Sequence, residues 1–183
     1  MTTCIALLRA INVSASGKNS IRMADLRHLL EEAGFQKVET YLQSGNAVFR
    51  SHTADTARIA REIEEKIAES LGHEVSVLVL AAEDLEALAA DNPLWPEEGG
   101  EPSHFHATFL FTPVSKERFG SLRLPAAEGE RAVPGKGAVL LHCPHGYGRT
   151  KLNNAYFEKA LGVRATTRNW KTVLALRDLC KHA

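Results

Sequence analysis

The sequence predicts an α+β protein of two ferredoxin-like halves with antiparallel sheets, a duplicated architecture that ends in a C-terminal helix. Three observations predict it. Apolar runs and helical stripes over 1–82 follow the order strand, helix, strand, strand, helix, strand, which is the split βαβ pattern. A looser version of that order recurs over 104–183. Between them, 83–103 joins a short helix to a stretch holding three prolines and two adjacent glycines, the punctuation of a linker.

Thr3 to Leu8 is a short apolar run that reads as a strand, followed by a polar loop from Asn12 to Ser20. Met23, Leu26, Leu29, Leu30 and Ala33 fall at helical spacing, and Gly34 stands where a helix would be capped. Val38 to Leu42 and Ala47 to Phe49 read as strands of a hairpin turning around Ser44-Gly45-Asn46. Ile59, Ile63 and Ile67 stripe a second helix closed by Gly72, and Val75 to Leu80 is a buried strand. Glu83 to Ala90 forms the short helix before the linker.

In the second half, Phe105, Ala107, Phe109 and Phe111 alternate onto one face of a strand. Ser115 to Phe119 makes a helical turn. Arg131 to Val133 and Ala138 to His142 pair as strands about a turn at Pro134-Gly135. Asn153 to Leu161 is a helix ended by Gly162, and Trp170 to Cys180 is the closing helix, capped by Thr167 or Asn169.

No apolar run approaches the roughly 20 residues that span a bilayer, so no membrane partner is expected. Cys4, Cys143 and Cys180 are odd in number and lack C-x-x-C spacing, which fits a reducing compartment, the cytoplasm, and argues against a structural zinc site. Histidines 104, 106, 142 and 145 do not amount to a metal site, and no cofactor motif is present. The net charge of zero hides an asymmetry: residues 55–102 hold thirteen acids against three basic residues. The stretches 1–22, 136–157 and 159–177 are basic with no acid at all, so folding can gather them into an anion-attracting face.

Three segments, LLRAINVSASGKNSIRM (7–23), TYLQSGNAVF (40–49) and HGYGRTKLNNAYFEKALGVRATTRNWKTVLAL (145–176), resemble the domain-of-unknown-function 1697 family of bacterial proteins. The resemblance runs nearly end to end and is weakest from about 83 to 135. It implies the duplicated ferredoxin-like architecture and no established activity. One departure stands out: the family's first loop carries glycine where this chain has Ala10, and Ser14-Ala15-Ser16-Gly17 replaces its later glycine pair.

The same three blocks are rich in donors and cations and hold no carboxylate outside the helix they run into. Arginine offers a planar fork and lysine a point charge, and flanking amides and hydroxyls fix orientation, which is what a phosphate or carboxylate ligand requires. The candidate ligand-binding residues are Arg9, Asn12, Lys18, Asn19, Ser44, Asn46, Arg149, Lys151, Asn154, Arg168 and Asn169, expected to meet in a cleft between the halves. Asn153 and Trp170 begin helices, whose N-terminal N–H groups favour anions. The same residues also have plain structural uses: Ser44-Gly45-Asn46 as a turn, Asn153 and Asn169 as caps, and Trp170 as packing. The expected function is binding of a phosphorylated small molecule or nucleotide-like ligand. The alternatives are an enzyme acting on a phosphorylated substrate, with His106 or His145 as base, or a protein interaction module that self-associates through the acidic 55–102 segment. RNA is a weaker partner, because Tyr41 and Phe49 alone supply aromatics to the first sheet.

Overall fold

The computed structural model describes residues 1–96 and 99–183. Its strands form two four-stranded antiparallel sheets of identical order. The first half runs β1 (Thr2–Leu8), α1 (Met23–Glu32), β2 (Gln36–Tyr41), β3 (Asn46–Ser51), α2 (Thr56–Leu71), β4 (Val77–Ala81) and α3 (Ala82–Ala90). The second runs β5 (Phe105–Leu110), α4 (Lys116–Gly120), β6 (Arg131–Gly135), β7 (Ala138–His142), α5 (Asn154–Leu161), β8 (Ala165–Asn169) and α6 (Trp170–Cys180). The sheets are ordered β2-β3-β1-β4 and β6-β7-β5-β8. The chain divides into two compact units, Met1–Leu85 with Leu176–Ala183, and Glu86–Ala175, so the divisions fall inside α3 and α6. The expected linker, 92–103, includes Glu97 and Glu98, which lie outside the described residues, as does that part of the acidic 55–102 segment.

The duplication holds to individual hydrogen bonds. Leu8 at the end of β1 donates its N–H to Gly45 O in the hairpin turn, and Leu110 at the end of β5 does the same to Gly137 O. The next residue, Arg9 or Phe111, donates to Ser76 O or Arg164 O just before the last strand. Glu64 of α2 accepts the N–H of Val77 that opens β4, and Glu158 of α5 accepts that of Ala165 opening β8. Each glutamate satisfies a donor at the start of an edge strand, where unpaired backbone groups are costly. Gly72 and Gly162 end α2 and α5 in the left-handed conformation, as the sequence predicts.

In the first unit, Cys4, Ala6 and Leu8 of β1, Phe49 of β3 and Val77 and Val79 of β4 are buried in one cluster. Leu26, Leu29 and Leu30 of α1 and the isoleucine stripe of α2 complete it. In the second unit, Val139 and Leu141 of β7 cluster with Phe157 and Leu161 of α5, and Phe119 of α4 packs against them. The opposite face of that sheet carries Phe105, Ala107 and Phe109, all buried, with Trp95 edge-on to Phe105 at 5.0 Å and tilted against Trp170 at 6.2 Å. Trp170 is thus packing, fully buried.

Three features differ from the sequence reading. The strand β8 was not expected, because Thr166, Thr167 and Arg168 give it no apolar alternation. The closing helix α6 follows β8 directly, as α3 follows β4, so each half ends in its own helix. The second hairpin turns at Lys136-Gly137, with Pro134 and Gly135 inside β6; proline is tolerated there because β6 is an edge strand.

Candidate functional site

The candidate residues fall into two groups, one in each unit. Arg9, Asn12, Lys18, Asn19, Ser44 and Asn46 belong to the first; Arg149, Lys151, Asn154, Arg168 and Asn169 belong to the second.

In the first unit, Asn12 joins the polar loop to the hairpin. Its amide donates to Ile21 O at 2.8 Å and Gln43 O at 2.7 Å, and its carbonyl accepts from Ile21 N–H at 2.8 Å. Its backbone N–H reaches Asn19 O. Both amide protons and the carbonyl are therefore engaged within the protein, and Asn12 acts as a staple. Asn46 is fully buried and donates to Tyr41 O and Ser44 Oγ, closing the hairpin as turn chemistry. Gly45 between them is indispensable: it has φ +84, and a Cβ there would stand 2.5 Å from Ile11 Cδ1 and 2.9 Å from Leu8 Cβ. Ala10, Asn12 and Asn19 all hold left-handed φ, at 56°, 55° and 54°. Asparagine adopts this conformation readily and alanine does not. A glycine at position 10, which the family resemblance implies, would meet this conformation without strain. Arg9 is half-buried, and Lys18 projects into solvent.

In the second unit, the block from 145 enters a 3₁₀ turn, Tyr147–Arg149, before α5. The Tyr147 hydroxyl donates to Thr167 Oγ1 at 3.2 Å, the Thr167 hydroxyl donates to Asn154 Oδ1 at 3.1 Å, and Asn154 N–H donates back to Tyr147 Oη at 2.9 Å. This closed ring ties the turn, the start of α5 and β8 together. Thr108 of β5 joins it through its hydroxyl, 2.9 Å from that of Thr167, and Asn154 Nδ2 adds a bond to Ala165 O. Burial raises the Tyr147 pKa above the ordinary phenol value, so the hydroxyl stays a donor.

The helix starts are capped from within. Asn153 Oδ1 accepts from Tyr156 N–H, Thr150 Oγ1 from Leu152 N–H and Asn169 Oδ1 from Lys171 N–H. Asn153 and Asn169 therefore cap helices, as the capping reading of the sequence has it, while Asn154 serves the ring. Arg168 is buried on β8, where its guanidinium donates to Thr166 Oγ1 and Thr167 O; burial lowers its pKa to about 10. Arg149 and Lys151 lie at the surface of this block, both exposed and, among the described residues, without a carboxylate partner.

His106 stacks on Tyr147 with ring centroids 4.6 Å apart and is only 6% exposed. Among the described residues its Nδ1 has no hydrogen-bond partner, and burial, with a smaller contribution from His104, lowers its pKa to about 4. A neutral, enclosed imidazole of this kind has little access to a substrate. His145 is exposed and lies 3.1 Å from Glu128 O through Nε2. Cys143 is fully buried, and its thiol is pushed up to about 11 by burial and then by Glu130, the environment of an inert thiol. Among the described residues no group of three or more histidines, cysteines or carboxylates is placed to hold a metal ion. Among the described residues no helix is long and apolar enough to cross a membrane.

Sequence reasoning missed Thr108 and the organising part of Tyr147. The signal for Thr108 was present: it interrupts an apolar strand at a buried position, where a hydroxyl requires a partner.

A duplicated α+β scaffold that presents polar loops from stapled turns defines the class of this molecule. The chain belongs to the family described as "Protein of unknown function (DUF1697)", whose model matches residues 1–140. The third block, 145–176, lies beyond that match, although the whole chain has a solved counterpart. The structure of a conserved bacterial protein, SP0830 from Streptococcus pneumoniae, is similar at 28% identity, covers 98% of each chain and superposes with a TM-score of 0.73. No curated protein matches the chain.

Proposed function

We propose that the protein binds an anionic small molecule, a phosphorylated or nucleotide-like ligand, and that Arg149 and Lys151 take its charge. The observation that carries this reading is that two exposed cations, neither paired with a carboxylate among the described residues, stand on or next to a turn locked by the Tyr147–Thr167–Asn154 ring. A rigid turn lowers the ordering cost of binding, and an arginine fork beside a lysine suits a phosphate. The three free thiols support a reducing compartment, the cytoplasm, as the place where it acts.

A thermal-shift screen at fixed ionic strength against phosphate, sulfate, nucleotides, phospho-sugars and short RNA tests the proposal. A ligand at about a hundred times its dissociation constant adds about 2.7 kcal/mol, which raises Tm by several degrees. The expected outcome is a rise selective for one anion class, lost in an Arg149→Ala, Lys151→Ala double variant that unfolds at the wild-type temperature. No response to any anion, or an equal response in the double variant, overturns it.

A further inference from the structure

Two glycines flank Tyr147, and the fold requires only one of them. Gly146 enters the turn at φ +91, ψ 145, a backbone conformation reserved for glycine. Gly148 has no such φ, and a Cβ built on it meets nothing within 4 Å. Neither conformation nor packing calls for a glycine there. Gly120 is equally open, but Gly148 adjoins Arg149 and lies three residues from Lys151, two exposed cations that have no carboxylate partner among the described residues.

Resting on the anion-binding reading, we infer that Gly148 is where the bound anion approaches the main chain, and that the ligand's charged group is a tetrahedral phosphate. Removing the Cβ lets an oxyanion lie against the peptide, as glycine does wherever a ligand must come close to backbone. The Arg149 fork and the Lys151 ammonium then supply the charge from the same turn. A phosphate monoester, with three oxygens to distribute among guanidinium, ammonium and main chain, uses all three partners. A planar carboxylate is satisfied by the arginine alone.

The test is Gly148→Ala in the full chain, with inorganic phosphate, sulfate and acetate as probes in titration calorimetry and thermal denaturation. Because φ at 148 is negative and the space is open, this variant should melt at or slightly above the wild-type temperature. Phosphate affinity should fall tenfold or more although Arg149 and Lys151 remain, and wild type should prefer phosphate and sulfate over acetate. If Gly148→Ala binds phosphate as wild type does while Arg149→Ala, Lys151→Ala does not, the main-chain contact is wrong and the anion site stands. If acetate binds as well as phosphate, the ligand class is wrong. If wild type binds none of the three, both the contact and the anion site fall.

Discussion

Ala10 carries the plainest conflict between residue and backbone. Its φ of +56° places Cβ against the following carbonyl, at a cost of roughly 1–2 kcal/mol for an L-residue with a side chain. Glycine removes that cost but gives the unfolded chain more freedom. Ala10→Gly should therefore stabilise the protein by about 0.5–1 kcal/mol, or one to a few degrees in Tm; a lower Tm would show that the methyl makes a compensating contact. The family resemblance marks position 10 as a departure from glycine, and the backbone angle, which is not legible in the sequence, supplies the physical reason. His106 yields the second prediction at this scale. Its folded pKa, about 4, lies below the ordinary 6.5, so the neutral form is the one the fold accepts. Stability from this residue is complete above pH 6.5. As pH falls from there toward 4, the unfolded chain binds a proton that the native protein refuses, and stability drops by about 1.4 kcal/mol per unit before levelling off. His106→Phe keeps an aromatic ring beside Tyr147 and removes the unpaired nitrogen. Its denaturation midpoint should be flatter than wild type between pH 6.5 and 4, and an unchanged acid slope would assign that slope to other groups.

At the scale of elements, the helices were legible and the polar ties between them were not. The isoleucine stripe of α2 and the glycines after α2 and α5 are strictly local signals, so periodicity and capping found them. Strand β8 is specified by its neighbours: Thr167 sits opposite Thr108 in the β5–β8 register and enters the Tyr147–Asn154 ring, and Arg168 sits opposite Ala107. Hydroxyls satisfied across 59 residues of sequence leave no pattern within a window of ten. The same holds for the candidate site, since Asn12, Asn46 and Asn154 have the composition of a ligand site and the hydrogen bonds of a scaffold. Tyr147→Phe isolates this tie. It leaves Asn154 N–H and Thr167 Oγ1 without the hydroxyl, at an expected cost of about 1–3 kcal/mol in urea unfolding. Phosphate binding should weaken too, though Arg149 and Lys151 are untouched, because the turn that presents them is loosened. Unaltered stability would mean that water replaces the hydroxyl and that the ring does not organise the turn.

For the whole molecule, duplication implies that each unit holds what a ferredoxin-like fold needs, including matching sheet orders and matched main-chain bonds at Leu8 and Leu110. The sequence order of the first half made this visible. The second half hid it behind a five-residue α4 and the polar strand β8. The core cluster of the first unit is drawn wholly from Cys4 to Val79 and includes two helices and the strands they cover. Residues 1–85 omit only the last eight residues of that unit. A fragment of 1–85 should therefore be soluble and unfold in one cooperative step, with coincident urea transitions by far-UV circular dichroism and NMR. Its urea m-value should be about half that of the full chain, since m follows the surface exposed on unfolding. Ile63→Ala in the same fragment should cost roughly 2–5 kcal/mol, because it leaves a cavity under a packed sheet, and that is a large share of the stability available at this size. A fragment that binds hydrophobic dye and melts without a transition would show that the cluster is insufficient and that Leu176–Ala183 or the second unit completes it.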